Sequence, residues 1–415
     1  MIYQQSVFET WPIENETIQA IICSPPYYAL RRYQIPDIII GGDKDCKHEF
    51  GNKERYLHRG TTKSNKLTDG HITDLKTSDG FCIHCNAWKG QYGLEPTPQL
   101  YVEHVRLWAK EAWRVLKPDG VFFLNLGDSY STISGNAKMN NPDINSRTGM
   151  SIEGLKNKQK IKGYPSKCQL LIPHRVAVAL IDDGWTLRNT IVWHKLNAMP
   201  ESAKDRFSKK YEYIFMFTKQ EKYYFDLDSV REPHKEVSIE RLKRAVDNNN
   251  KWVNGADGQT PHGLSQPRPN INKPGANTGE NNKEPYRQNN PHLLRIKEKE
   301  YKERVGSMQS TQFSSGDYLV ANLNPLGKNP GDIWSIPTQP SPEKHYAMWP
   351  QALVERMIKC GTKAGDIVLD CFAGSGTTGK VAMELHREFI GIDLGYKEIS
   401  DKRLSNIQKR LKRIL

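Results

Sequence analysis

Ile367-Val368-Leu369-Asp370-Cys371-Phe372-Ala373-Gly374-Ser375-Gly376-Thr377-Thr378-Gly379 reads as a buried strand entering a glycine-rich turn and then a helix. The apolar run Ile367 to Leu369 suits a strand covered on both faces, as parallel strands are. Gly374 and Gly376 let the backbone turn tightly and approach a ligand, and Gly379 permits close helix-to-strand packing. Phe389-Ile390-Gly391-Ile392-Asp393 is a second short strand that ends in an acid, the position from which a carboxylate commonly bonds a ribose hydroxyl. Gly374 to Gly379 also satisfies the spacing G-x-G-x-x-G, a weak signal alone. A dinucleotide site would need more sheet after it, yet only one basic helical segment follows Asp393, ending at Leu415. The remaining strands must come from the front of the chain, so the order is circularly permuted relative to an ordinary nucleotide-binding sheet.

At the front, Ala20-Ile21-Ile22-Cys23-Ser24-Pro25-Pro26-Tyr27 reads as a strand running into a rigid, aromatic-tipped loop. Two prolines in sequence fix φ and supply no N–H, which leaves the carbonyls of Ser24 and Pro25 as acceptors in a stiff frame. Tyr27 offers a flat face for stacking. Acceptors beside an aromatic plate suit the exocyclic amino group of an extruded base. In a parallel sheet both loops lie outside the carboxyl ends of their strands, so neighbouring strands would bring them together.

Ser24 to Tyr27, followed much later by Asp370 to Gly379, resembles the amino-methylating DNA methyltransferases in the permuted, beta-class order. The resemblance extends through Glu111 to Gly120 with the strand Val121 to Leu126, Asn125 to Tyr130, Leu187 to Lys195 with Pro200, and Tyr211 to Ile214. Asp332 to Trp334 and His345 to Leu353 continue it, and about two thirds of the chain is covered. It implies a Rossmann-like α/β methyltransferase fold with a permuted mixed sheet, and S-adenosylmethionine as cofactor. Catalysis is implied at Ser24, Pro25, Pro26 and Tyr27. Cofactor binding is implied at Asp370, Cys371, Phe372, Ala373, Gly374, Ser375, Gly376, Thr377, Thr378 and Asp393, and at His345, Trp349 and Pro350. The family often carries a Gly-Asp pair before the catalytic strand; Gln5-Ser6 stands there instead, which leaves the contact to the adenine ring unassigned.

The acceptor base is cytosine (N4) or adenine (N6). Serine at the head of the tetrapeptide is more usual in the family for cytosine, and a hydroxyl can donate to a ring nitrogen whereas an ionised aspartate only accepts. Cytosine N4 is therefore favoured, adenine N6 is the alternative, and an RNA or small-molecule substrate ranks below both. Cys23 and Cys371 read as buried, inert thiols at strand ends rather than as nucleophiles.

Cys46-Lys47-His48 and Cys82-Ile83-His84-Cys85 bracket a polar, charged stretch. Cys46, His48, Cys82 and Cys85 form a candidate Cys3His structural zinc site. His84 is a less suitable substitute for His48 because it lies inside the C-x2-C turn.

The division expected is 1–40 for the catalytic-loop part of the methyltransferase domain, 41–95 for a zinc-binding insertion, 96–229 for the continued domain, 230–329 for target recognition and 330–415 for the cofactor-binding part. Helices are expected over Thr97 to Leu116 and Leu170 to Asp183, with Gly184 as terminator, and strands at Ile191 to Trp193 and Tyr213 to Phe217. Ser131 to Lys167 reads as a mobile polar loop. From Val230 to Asn329, Asn, Lys, Arg, Pro and Gly crowd around Trp252, Tyr286, Phe313 and Tyr318; arginine and asparagine suit base edges. The 415 residues carry 60 Lys+Arg against 47 Asp+Glu, a net charge of +13 that suits double-stranded DNA as partner. Seven clustered cysteines argue for a reducing compartment rather than a disulfide framework. With no leader-like start and no membrane-length apolar run, the expected location is the cytoplasm, with a cognate restriction endonuclease as a further expected partner.

Overall fold

A computed structural model describes residues 1–33, 35–50, 80–131, 161, 163–244, 323–339 and 349–414. Two compact units divide the chain: Met1–Val230 with Pro330–Leu415, and Arg231–Asn329.

The first unit is built on an eight-stranded sheet. Its strands are β1 (Ile2–Gln4), β2 (Ile18–Cys23), β5 (Leu116–Leu126), β6 (Thr186–His194), β7 (Tyr211–Thr218), β8 (Ile333–Ser335), β9 (Ile367–Asp370) and β10 (Glu388–Asp393); β3 (Ile38–Ile40) and β4 (Trp88–Gly90) form a separate antiparallel pair. The order across the large sheet is β1-β10-β9-β2-β5-β7-β6-β8. The first five run parallel to one another, β7 is antiparallel to β5 and β6, and β8 is parallel to β6. The permutation expected from the sequence is present: β9, near the end of the chain, lies directly beside β2 near its start, with Ala20 opposite Val368 and Ile21 opposite Leu369.

Alternation along the strands builds two cores. Ile21 and Cys23 of β2, Phe122 and Leu124 of β5 and Leu369 of β9 face one core; Ala20, Ile22, Val121, Phe123 and Val368 face the other. Helix α1 (Pro98–Val115) and α2 (Ile172–Asp182) cover the first face, through Tyr101, Val105, Trp108 and Ala112 and through Val176 and Leu180. Elements α4 (Gln351–Gly361), α5 (Thr377–Glu384) and α6 (Lys397–Ile414) cover the second.

Local chemistry explains the ends of these elements. Thr97 caps α1 by accepting from the Leu100 N–H at 3.2 Å, with Pro98 in the first turn where its missing N–H costs nothing. The cap of α2 comes from a distant residue. Leu171 stands in the left-handed region and offers no side-chain cap, while Asp128 accepts from the N–H groups of Leu171 (3.1 Å) and Ile172 (2.9 Å). Gly184, at φ +101°, follows the helix end. Strand β5 starts five residues earlier than Val121, because Leu116 pairs with Ile18 while Val121 pairs with Ala20. Lys117 to Gly120 thus bulge out of the ladder, which reconciles their turn-like composition with their place in a strand.

In the second unit, Glu232 and Lys328 pair as an isolated antiparallel bridge, and α3 (Glu236–Arg244) follows. Trp252, Tyr286, Phe313 and Tyr318 lie outside the described residues, as do most of Ser131 to Lys167 and His345. Among the described residues, no helix is long and apolar enough to cross a membrane.

Candidate active site

Beyond the carboxyl ends of β2, β9 and β10 lies a cavity of about 310 Å³. Ser24, Pro25, Pro26 and Tyr27 line it, and so do Cys371, Phe372, Ala373, Gly374, Ser375, Thr377, Asp393 and Trp349. The catalytic-loop and glycine-turn residues, more than 340 positions apart in sequence, therefore open into one space. Gln5, Ser6, Val7 and Phe8 also reach it, because β1 delivers them to the same edge.

Asp370, Gly376, Thr378 and Pro350 support the wall. Thr378 Oγ1 donates to Asp370 Oδ2 at 2.6 Å and the Phe372 N–H donates to Oδ1 at 3.0 Å, closing the glycine turn around a buried carboxyl. Burial pushes the Asp370 carboxyl up to about 7, against the opposing pull of those two donors. Gly376 adopts φ +77° at the start of α5, and a Cβ at Gly379 would stand 2.5 Å from the Phe389 ring. Pro350 is buried at the cap position of α4. Arg403 of α6 donates to the Ser375 carbonyl at 3.1 Å and fixes the turn from outside.

Asp393 holds the turn from the other side. Its Oδ2 accepts from Gly374 N at 2.7 Å, and its Oδ1 accepts from the N–H groups of Gly395 (2.9 Å) and Tyr396 (2.7 Å). Oδ1 is filled by two donors while Oδ2 keeps one acceptor site, so the carboxylate is oriented and still able to take a hydroxyl. This set fits a cofactor with a ribose, a flat ring and a cationic sulfur: an acid at the strand end, backbone exposed by glycines, and Phe372, Trp349 and Tyr33 on the walls.

Around the tetrapeptide the structure adds residues to which the sequence assigned no role. Tyr27 hydroxyl lies 2.7 Å from Asn125 Oδ1 and 2.8 Å from Glu212 Oε2. Ser24 Oγ lies 3.3 Å from that hydroxyl and 3.4 Å from Asn125 Oδ1. The Asn125 amide donates to the Tyr213 carbonyl at 3.0 Å, which turns its oxygen toward the tetrapeptide. Lys195 forms an ion pair with Glu212. Burial, with the Glu212 carboxylate adding to it, pushes the Tyr27 phenol well above its usual range, so it is a donor and not a phenolate. Asn125 ends β5, Lys195 follows β6 and Glu212 opens the antiparallel β7, so strand direction alone delivers all three to one rim. The sequence signal was a polar residue at one end of each apolar run: after it for Asn125 and Lys195, before it for Glu212.

The frame of the loop is equally specific. A Cβ at Gly127 would lie 2.5 Å from Tyr27 Cε2, so the ring rests on bare backbone. Tyr101 donates its hydroxyl to the Pro26 carbonyl at 2.9 Å. Among the described residues, no hydrogen bond reaches the Pro25 carbonyl oxygen, which leaves that acceptor free beside the cavity. Cys23 and Cys371 are fully buried behind the loops, and burial pushes both thiols up. That suits inert packing rather than nucleophilic attack.

Apart from the cavity, the ligand atoms of Cys46, His48, Cys82 and Cys85 all lie within 4.8 Å of one another. His84 points elsewhere, to Glu49 at 3.2 Å.

A mostly parallel sheet with one antiparallel strand at β7, a glycine turn after β9 and an acid ending β10 define an α/β enzyme of the methyltransferase class. More narrowly, the chain belongs to the DNA methylase family (N6_N4_Mtase), which matches residues 18–402, and is thus an amino-methylating DNA methyltransferase. It is similar to the type II methyltransferase M.SfiI of Streptomyces fimbriatus, 32% identical over 386 residues that cover 81% of this chain and 86% of that one. Type II methyltransferase M.Cfr9I of Citrobacter freundii is 31% identical over 332 residues, covering 78% of each chain. Among solved structures, the PvuII DNA methyltransferase (cytosine-N4-specific) aligns with a TM-score of 0.46 at 16% identity, over 99% of this chain and 91% of that one.

Proposed function

We propose that the protein transfers the methyl group of S-adenosylmethionine to the exocyclic amino nitrogen of a base turned out of duplex DNA, cytosine N4 in preference to adenine N6. The observation that carries this reading is the single cavity shared by Ser24–Tyr27 and the glycine turn. A donor held at Phe372, Gly374 and Asp393 and an acceptor base held at Ser24, Pro25 and Tyr27 would meet inside it.

The cofactor supplies an electrophilic methyl group on a cationic sulfur. The rest is the work of this chain. An aromatic amine is a poor nucleophile because its lone pair is delocalised into the ring. The free Pro25 carbonyl and the Ser24 hydroxyl accept its two N–H bonds and draw the nitrogen toward tetrahedral geometry. The two prolines and the Tyr101 hydrogen bond hold those acceptors still, so alignment costs little at the moment of reaction; such positioning is worth roughly 7–11 kcal/mol in favourable cases. Once alkylated, the nitrogen must lose a proton. Ser24 Oγ, the Tyr27 hydroxyl and Glu212 Oε2 form a hydrogen-bonded path of 3.3 and 2.8 Å along which it can leave, with Lys195 balancing the carboxylate.

Ser24 supports cytosine. Its one hydroxyl proton can turn to the ring nitrogen beside the amine while the base docks and to Tyr27 once the methyl has moved; an ionised aspartate has no proton to give. Its similarity to type II methyltransferases supports a cognate type II restriction endonuclease as a partner in the same cell. Incubation with methyl-labelled S-adenosylmethionine and duplex DNA, RNA or free nucleosides, then digestion and mass analysis, tests the reading. N4-methylcytosine from duplex DNA is expected. N6-methyladenine would reassign the base, and label in RNA or nucleosides alone would overturn the DNA substrate.

A further inference from the structure

The four metal-type side chains take no part in the chemistry above. Cys46 Sγ and Cys82 Sγ lie 3.8 Å apart, and Cys85 Sγ lies 3.3 Å from His48 Nδ1. A disulfide would need about 2.05 Å between sulfurs, so these are separate thiols. Tetrahedral zinc, with Zn–S near 2.3 Å and Zn–N near 2.0 Å, sets sulfur pairs about 3.8 Å apart and sulfur–nitrogen pairs about 3.5 Å apart. The turn is shaped for the same purpose. The His84 N–H donates to Cys82 Sγ at 3.4 Å, Asn86 takes the left-handed conformation at φ 63°, and Asn86 N closes on the Cys82 carbonyl at 3.0 Å. A Cβ at Gly42 would lie 2.7 Å from Cys85 Sγ, so only a glycine lets the incoming strand pass that sulfur.

We propose that Cys46, His48, Cys82 and Cys85 bind one structural zinc ion, and that this ion braces the wall of the active-site cavity. The chain leaves the cluster through β4, and the next residue, Gln91, is 2% exposed. Its amide nitrogen donates to the carbonyls of Tyr33 and Ile35, both at 3.0 Å, and its oxygen accepts from the Tyr33 N–H. Tyr33 and Ile35 line the cavity, and Ile35 abuts Gly395, whose N–H is held by Asp393. Two residues past Gln91, the Gly93 carbonyl accepts from Ala29 N at 2.7 Å, just after the tetrapeptide. Four ligands filled by protein leave no open position, so the ion is a brace and takes no part in the reaction.

The bracing half rests on the active-site reading, and the metal half stands without it. Elemental analysis of the full chain, purified under reducing conditions without chelator, should find one zinc per chain, and Cys82→Ser and Cys85→Ser should each fall to about a tenth of that or less. Removing the ion with phenanthroline should weaken S-adenosylmethionine binding about tenfold in calorimetry, and re-adding zinc should restore it. Gln91→Ala should keep the zinc yet weaken cofactor binding to a similar degree. Wild-type protein from zinc-supplemented growth that holds no metal would overturn the site. Unchanged cofactor affinity after metal release and in Gln91→Ala would overturn the brace. A wild type that holds zinc but binds no cofactor would instead contradict the active-site reading.

Discussion

Tyr27 has one hydroxyl proton and two oxygens close enough to take it, Asn125 Oδ1 at 2.7 Å and Glu212 Oε2 at 2.8 Å. Its role is therefore double: the ring forms a wall of the cavity and the hydroxyl links Ser24 to the carboxylate. Tyr27→Phe keeps the wall and cuts the link, so kcat should fall about 100- to 10,000-fold, the span of one lost proton-transfer partner, while the cofactor Kd stays within about twofold. Burst or single-turnover kinetics with calorimetry separates the two; an unchanged kcat would remove the Ser24–Tyr27–Glu212 path. Asp370 supports a second prediction. Its carboxyl is raised from 3.8 to about 7 by burial, so the folded state binds the proton more tightly than the unfolded chain. That contribution to stability is fully present below the unfolded value and is lost as pH rises through about 7. Asp370→Asn, which keeps an acceptor for the Phe372 N–H, should abolish the effect. The stability difference, wild type minus variant, should fall by roughly 2–4 kcal/mol between pH 4 and pH 8 in urea titrations. A flat difference would show that the two donors cancel burial, and a rising one that they outweigh it.

Strand ends and turns carry the site, and here single substitutions act through shape. Gly127→Ala would place a Cβ 2.5 Å from the Tyr27 ring. The expected result is a loss of about 1–3 kcal/mol in stability and at least a tenfold drop in kcat with cofactor binding intact. Normal turnover would mean that the ring has room to shift. Asp128→Ala strips the distant cap from α2, and a loss of about 1–2 kcal/mol in chemical denaturation is the expected size. At this scale the sequence was readable where local chemistry decides. Helical spacing over Thr97 to Leu116 announced α1, the glycines announced the turn before α5, and the apolar run at 367–369 announced a strand buried on both faces. It was unreadable where register decides. Asn125, Lys195 and Glu212 sit at the ends of three different strands, and only the antiparallel pairing of β7 with β5, Asn125 opposite Ile214, brings Glu212 to Tyr27. Asp128 likewise caps a helix more than 40 residues away, a contact that no local pattern encodes.

Across the whole molecule, permuted connectivity still returns both loops to one rim, because β9 slots between β10 and β2. The order of the motifs announced this, since a glycine turn so near the end of the chain needs strands from the beginning to complete its sheet. The net charge of +13 adds a further expectation for a polyanionic substrate. Raising salt from about 50 to 200 mM should lower kcat/KM for duplex DNA by an order of magnitude or more while the cofactor Kd barely moves. Salt-independent kcat/KM would argue against a phosphate-dominated interface. The central claim is that donor and acceptor meet in the one cavity between Ser24–Tyr27 and the glycine turn. Its most direct measurement is a crystal structure with S-adenosylhomocysteine. The account predicts the ribose within hydrogen-bonding distance of Asp393 and the sulfur facing the Pro25 carbonyl; a ligand bound outside this cavity, or with its sulfur turned away from the tetrapeptide, would contradict it.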